Sequence, residues 1–178
     1  LMRTMHRTLG LDAMLTRNSG GNATPSSDAV ASGALDANVA RYARTTFVVE
    51  MARVSPSFAL SWGASTGLFG ANVLGKGTPE QVERFAIPAL RSERVGAWAL
   101  TEPGAGSDAL SGMRTTARLE EGEWVIDGSK SFITNSGTAI TSLVTVLAIT
   151  GRDEDGRKEI SSVIVPNGTA GFVPGPEY

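Results

Sequence analysis

With 178 residues, 41% hydrophobic and 19% charged, the chain has the composition of a globular protein that buries a core, in one large domain or two small ones. A formal net charge of −2, with no basic stripe along the sequence, argues against a nucleic-acid or anionic-membrane partner. The chain has no cysteine, which excludes disulfides, thiolate catalysis and cysteine-ligated metals; the single histidine, His6, has no second histidine to join in a metal site or triad and reads as a surface helix residue.

Residues 1–9 read as the end of a helix, and Ser19-Gly20-Gly21-Asn22 through Pro25-Ser26-Ser27 as loop. Asp36 is placed to cap a helix running to about Val54, with Val39, Tyr42, Ala43, Phe47 and Met51 near the helical period. Ser55-Pro56 restarts a helix, serine capping and proline in the first helical position. This second helix carries Phe58, Leu60, Trp62, Leu68, Phe69 and Leu74 and closes at Gly75. Val54 to Gly75 is uncharged over 22 residues, long enough to cross a bilayer, but Pro56, Asn72 and the scattered serines and glycines make it poorly apolar. It reads as a buried helix of a soluble bundle, and no signal-peptide apolar region is visible at the N-terminus. Thr78-Pro79-Glu80-Gln81 is a capping box opening a third helix to about Arg91, with Pro88 expected to kink its last turn.

From Val95 the pattern changes to strands, predicted at 96–101, 113–120, 123–128, 131–134, 142–150 and 160–165. Helices first and strands afterwards predict an α+β chain of two domains, helical over 1–95 and β over 96–178, with the boundary near Ser92–Gly96. The chain begins with Leu1 and ends inside the turn-rich Gly171-Phe172-Val173-Pro174-Gly175-Pro176-Glu177-Tyr178, so both domains are expected to be incomplete.

The most informative stretch is Trp98-Ala99-Leu100-Thr101-Glu102-Pro103-Gly104-Ala105-Gly106-Ser107-Asp108. An apolar run ends there in a turn whose glycines permit close backbone approach and whose successive N–H groups suit a phosphate-bearing ligand. Gly104 to Ala109 spells the dinucleotide fingerprint, but that motif needs a helix opening directly out of it. Here a short Ala109–Gly112 turn leads instead into β-forming residues, which argues against a Rossmann unit. A second segment, Gly128-Ser129-Lys130-Ser131-Phe132-Ile133-Thr134-Asn135, read as a strand, puts Lys130, Phe132 and Thr134 on one face and Ile133 on the other. An aromatic and a hydroxyl so placed, beside Trp98, Leu100 and Thr101, suit a planar heteroaromatic with polar edges; they also suit two half-buried aromatics in a β core.

The two segments, in this order and at this separation with Glu123–Gly128 between them, resemble the flavin-contacting segments of the acyl-CoA dehydrogenase family. Glu50-Met51-Ala52-Arg53 and Gly75-Lys76-Gly77-Thr78-Pro79-Glu80-Gln81 resemble its N-terminal helical domain, so the resemblance covers residues 40–178. It implies a helical N-terminal domain, a mainly antiparallel, β-barrel-like middle domain, and a C-terminal helical bundle lying beyond Tyr178. It also implies FAD, with Trp98, Leu100 and Thr101 bordering the isoalloxazine and Thr101 hydrogen-bonded to its pyrimidine side. Phe132, Ile133 and Thr134 would cover the rest of the ring, Thr134's hydroxyl near N5. Gly106 and Ser107 would contact the pyrophosphate region, Ser107 also facing the CoA part of a substrate.

The implied reaction is α,β-dehydrogenation of an acyl-CoA thioester, a carboxylate taking the α-proton while hydride passes to flavin N5, as in fatty-acid breakdown. Electron-transfer flavoprotein is the implied electron acceptor. A homotetramer or hetero-oligomer is the implied assembly, in the cytoplasm or, in a eukaryote, the mitochondrial matrix. The family's catalytic glutamate lies in the C-terminal domain, so no catalytic residue is assigned; Glu102 and Asp108 are expected to bond to backbone in their turn. Phe132 stands where many relatives have tryptophan, which keeps stacking and removes an N–H, and Ser19–Asp36 lacks the family's glycine-rich, proline-containing loop. The alternatives are a non-catalytic flavin-scaffold subunit, or an acyl-CoA oxidase or flavin monooxygenase on the same fold.

Overall fold

The computed structural model describes residues 37–175, so the expectations for His6, the Asp36 cap and the rest of 1–36 lie outside the described residues. Between Glu93 and Arg94 the chain divides into two compact units.

In the first unit, α1 (Ala37–Val54) gives way at Ser55, whose extended backbone (φ −151°) and hydroxyl, accepting the Phe58 N–H at 3.3 Å, start α2 (Pro56–Gly63). The chain continues through a π-helical stretch, Ala64–Gly70, into α3 (Ala71–Lys76). Sequence periodicity predicts one regular helix here. The widened turn coincides with glycines at 63, 67 and 70 and with the Thr66 hydroxyl, which donates to the Trp62 carbonyl at 2.9 Å and competes with the backbone ladder. Thr78 and Gln81 form the predicted capping box at the head of α4 (Pro79–Gln81). A second π-helical turn, Val82–Ala86, precedes α5 (Ile87–Leu90), so the irregularity expected at Pro88, which has no N–H to donate, lies just ahead of it. Met51, Ala59 and Trp62 form one core cluster of this unit with Phe47, whose ring meets Trp62 edge-on at 5.4 Å, and Phe69 and Leu90 are also fully buried.

The second unit is a five-stranded sheet of β1 (Val95–Ala99), β2 (Thr116–Glu120), β3 (Glu123–Asp127), β4 (Thr141–Arg152) and β5 (Lys158–Pro166), with a short helix α6 (Ala109–Gly112) after β1. The long β4 is its hub. Val144 pairs with Ala97 on one side and Val165 on the other, and Ile149 pairs with Thr116 and Ile160. Thus β5 lies antiparallel along one edge of β4, while β1 and then β2 lie parallel to the opposite edge; β3 pairs antiparallel with β2. Ala97, Ala99, Val144, Val146 and Val165 form the core, with Ile126, Ile133 and Phe172 packed against them.

Two expectations are corrected. The sheet is open rather than barrel-like: among the described residues β3 pairs only with β2 and β5 only with β4, so no pairing joins the end strands. Residues 131–134 are not a strand, because Phe132 (φ 58°) and Asn135 (φ 67°) hold left-handed backbone that breaks strand alternation. Among the described residues no helix is long and apolar enough to cross a membrane, and no acidic or histidine cluster could hold a metal ion.

Candidate functional site

The site is built where β1 ends. Ala97 and Ala99 turn their side chains into the sheet core, so alternation sends half-buried Trp98 to the opposite face. Past β1, Glu102 and Ala105 exchange backbone hydrogen bonds, 3.1 and 3.0 Å, across a tight turn with Pro103 in its second position. Gly112 of α6 packs onto this turn so closely that a Cβ there would lie 2.7 Å from the Ala105 Cβ. The Lys158 ammonium on β5 secures the end of α6, donating to the carbonyls of Ser111 and Met113.

The turn's carboxylate points inward. Glu102 is 6% exposed, and its oxygens accept the N–H of Arg114 at 2.8 Å, the N–H of Thr115 at 3.0 Å and the ammonium of Lys130 at 2.9 Å. Burial alone raises its pKa. The Thr115 hydroxyl, beside the carboxylate though outside hydrogen-bond geometry, the Lys130 ammonium and the two backbone N–H groups outweigh that and hold it at about 2. A carboxylate so firmly kept as an anion and so fully engaged is a structural acceptor, not a proton-abstracting base. Asp108, by contrast, is exposed and its side chain caps nothing; only its carbonyl is engaged, by the Gly112 N–H at 3.0 Å.

The second segment is a loop clamped to the first. Gly128 (φ 155°) passes so close to Thr115 that a Cβ would lie 2.7 Å from the threonine Cβ. Lys130 donates to the Leu100 carbonyl at 3.0 Å as well as to Glu102, and the Ser131 N–H donates to the Thr101 carbonyl at 2.9 Å. The loop then splits its side chains: Phe132 stands 74% exposed, while Ile133 packs into the sheet core. Asn135 closes it by donating from Nδ2 to the Gly96 carbonyl at 3.2 Å and accepting the Thr141 hydroxyl on its own carbonyl.

Of the residues singled out in the sequence, Thr101 is joined to the Phe132–Thr134 loop through the Ser131 bond, and Leu100 through Lys130. Thr101 and Thr134 are half-buried, and among the described residues neither hydroxyl has a hydrogen-bond partner. Gly106 and Ser107, directly after the Glu102–Ala105 turn, are exposed. Ile133 acts as an anchor whose side chain faces the core. Sequence reasoning missed the Glu102–Lys130 pair, since nothing in two residues 28 positions apart announces that they meet.

Known proteins resemble this chain in sequence and fold. The family description "acyl-CoA dehydrogenase, middle domain" fits residues 97–178, which include both site segments. Residues 97–178 belong to the acyl-CoA dehydrogenase family as its middle domain. A short-chain specific acyl-CoA dehydrogenase from Clostridium acetobutylicum is 38% identical over 125 residues, 70% of this chain and 32% of that protein. The structure of an acyl-CoA dehydrogenase complexed with FAD from Bacillus anthracis superposes with a TM-score of 0.73 at 30% identity, covering 99% of this chain and 27% of that one. The butyryl-CoA dehydrogenase of Megasphaera elsdenii superposes with a TM-score of 0.65 at 35% identity, covering 71% and 32%. The chain thus spans about a third of the length of the family members it matches.

Proposed function

We propose that this chain is the FAD-holding portion of an acyl-CoA dehydrogenase, with residues 1–95 contributing its N-terminal helical domain and 96–178 its middle β domain. The observation that carries the reading is the clamp: two separate segments are locked together so that two half-buried hydroxyls, Thr101 and Thr134, without hydrogen-bond partners among the described residues, accompany an exposed aromatic, Phe132. These groups fit a flat ring with polar edges, which an apolar core would not need. Bound FAD supplies the hydride acceptor for α,β-dehydrogenation of an acyl-CoA thioester.

The chain's own residues bind and orient. Thr101 donates to the pyrimidine edge of the ring, Thr134 hydrogen-bonds near its reactive centre, and Trp98, Leu100 and Phe132 flank the plane. The Ile133 side chain anchors the loop, so its share of the ring contact comes from its backbone. Gly106 and Ser107, exposed on the glycine turn, meet the pyrophosphate, Ser107 also the CoA moiety. Glu102 takes no proton. Electron-transfer flavoprotein is the proposed electron acceptor, and assembly with further copies or subunits completes the site.

The test is the visible absorption of the purified full-length protein, with and without added FAD. A bound-flavin band that acyl-CoA substrates bleach supports the reading. A folded protein that stays colourless in excess FAD overturns it in favour of a scaffold subunit, and rapid reoxidation of the reduced flavin by oxygen points to an oxidase or monooxygenase.

A further inference from the structure

Lys130 occupies the middle of the clamp, its side chain only 9% exposed. Its ammonium donates to Leu100 at 3.0 Å and Glu102 at 2.9 Å, the residues on either side of Thr101, while the following N–H, that of Ser131, takes the Thr101 carbonyl at 2.9 Å. Two consecutive residues of one segment therefore grip three consecutive residues of the other. The Thr101 backbone is fixed from both sides and its hydroxyl is left to project. Directly after Ser131 comes Phe132, exposed and in left-handed backbone. An aromatic side chain that gains little by burial does not choose that conformation; its neighbours impose it.

Stability alone explains this poorly. A buried ion pair is often no more stabilising than apolar residues of similar volume, whereas it does fix geometry, because both partners must meet at hydrogen-bond distance. We propose that Lys130, acting through Leu100 and Glu102, is a positioning residue that sets the placement of the Thr101 hydroxyl relative to the Phe132 ring, and so the fit of the site to the flavin. The proposal rests on the FAD reading above.

The experiment compares wild type, Lys130→Met and Lys130→Arg by titration with FAD, followed by flavin fluorescence, and by visible circular dichroism of the bound flavin. Lys130→Met is expected to bind FAD about tenfold or more weakly, as when a group that orients a ligand-binding residue is lost, with an altered flavin dichroism spectrum. Lys130→Arg, retaining the charge with a wider fork, recovers affinity in part. A folded Lys130→Met protein with unchanged affinity and unchanged dichroism overturns the positioning role and leaves the FAD reading intact. Wild type that takes up no FAD overturns the FAD reading itself, and this role with it. If Lys130→Met does not fold, Lys130→Arg decides: a changed flavin spectrum supports positioning and an unchanged one overturns it.

Discussion

Replacing Glu102 by glutamine tests whether the clamp is held by a buried anion. The carboxyl sits at about 2 in the folded chain against 4.5 when unperturbed, a difference worth about 3 kcal/mol at neutral pH. Because the folded value is depressed, this stabilisation is present in full above 4.5 and is lost as pH falls toward 2. Linkage with these two values gives a loss of about 2 kcal/mol between pH 5 and pH 3 from this one group. Glu102→Gln removes that dependence, leaves Lys130 buried without its counter-charge and turns an amide donor toward a backbone donor. It should cost about 3 to 5 kcal/mol at pH 7 and roughly 2 kcal/mol less at pH 3. Urea unfolding of both proteins at a series of pH values, followed through Trp98 and Trp124 fluorescence, measures the difference. Parallel loss of stability in both proteins between pH 5 and pH 3 would refute the buried-anion argument.

Gly128→Ala places a methyl 2.7 Å from the Thr115 Cβ at a φ of 155°; the overlap has to push the loop off the sheet, with a loss of about 2 kcal/mol or more in urea unfolding, and an unchanged midpoint would show that the loop gives way freely. Phe132→Asn, a residue at ease in left-handed backbone, should stabilise the protein by about 0.5 to 1 kcal/mol in the same assay while weakening FAD binding. A destabilised Phe132→Asn protein would mean that the phenylalanine is held by packing and not by imposed strain.

The features carried by local chemistry were legible. The Ser55-Pro56 restart, the Thr78–Gln81 capping box and the strands at Glu123 and Thr141 depend on residues a few positions apart. The π-helical turns were not, since Thr66 back-bonding and Pro88 act through register rather than apolar periodicity. Residues 131–134 misled for a physical reason: Phe132, Ile133 and Thr134 are strong β-formers, and tertiary bonds from Ser131 and Asn135 override their preference. The two site segments were recognisable by their resemblance to a known family's motifs rather than by composition, whereas the parallel pairing of β1 with β4 and the ion pair joining the segments are long-range facts.

That parallel pairing has a consequence for the order in which the chain assembles. Since Ala97 meets Val144, both site segments lie within one closed loop, and the Glu102–Lys130 pair sits inside it. The β2–β3 and β4–β5 hairpins join near neighbours and lose little chain entropy on closing; seating β1 beside β4 constrains some forty-odd residues at once and comes late. The groups that grip Thr101 are then among the last to engage on folding and the first to part on unfolding. Substitutions at Lys130 or Glu102 should accordingly hasten unfolding far more than they slow refolding in stopped-flow traces.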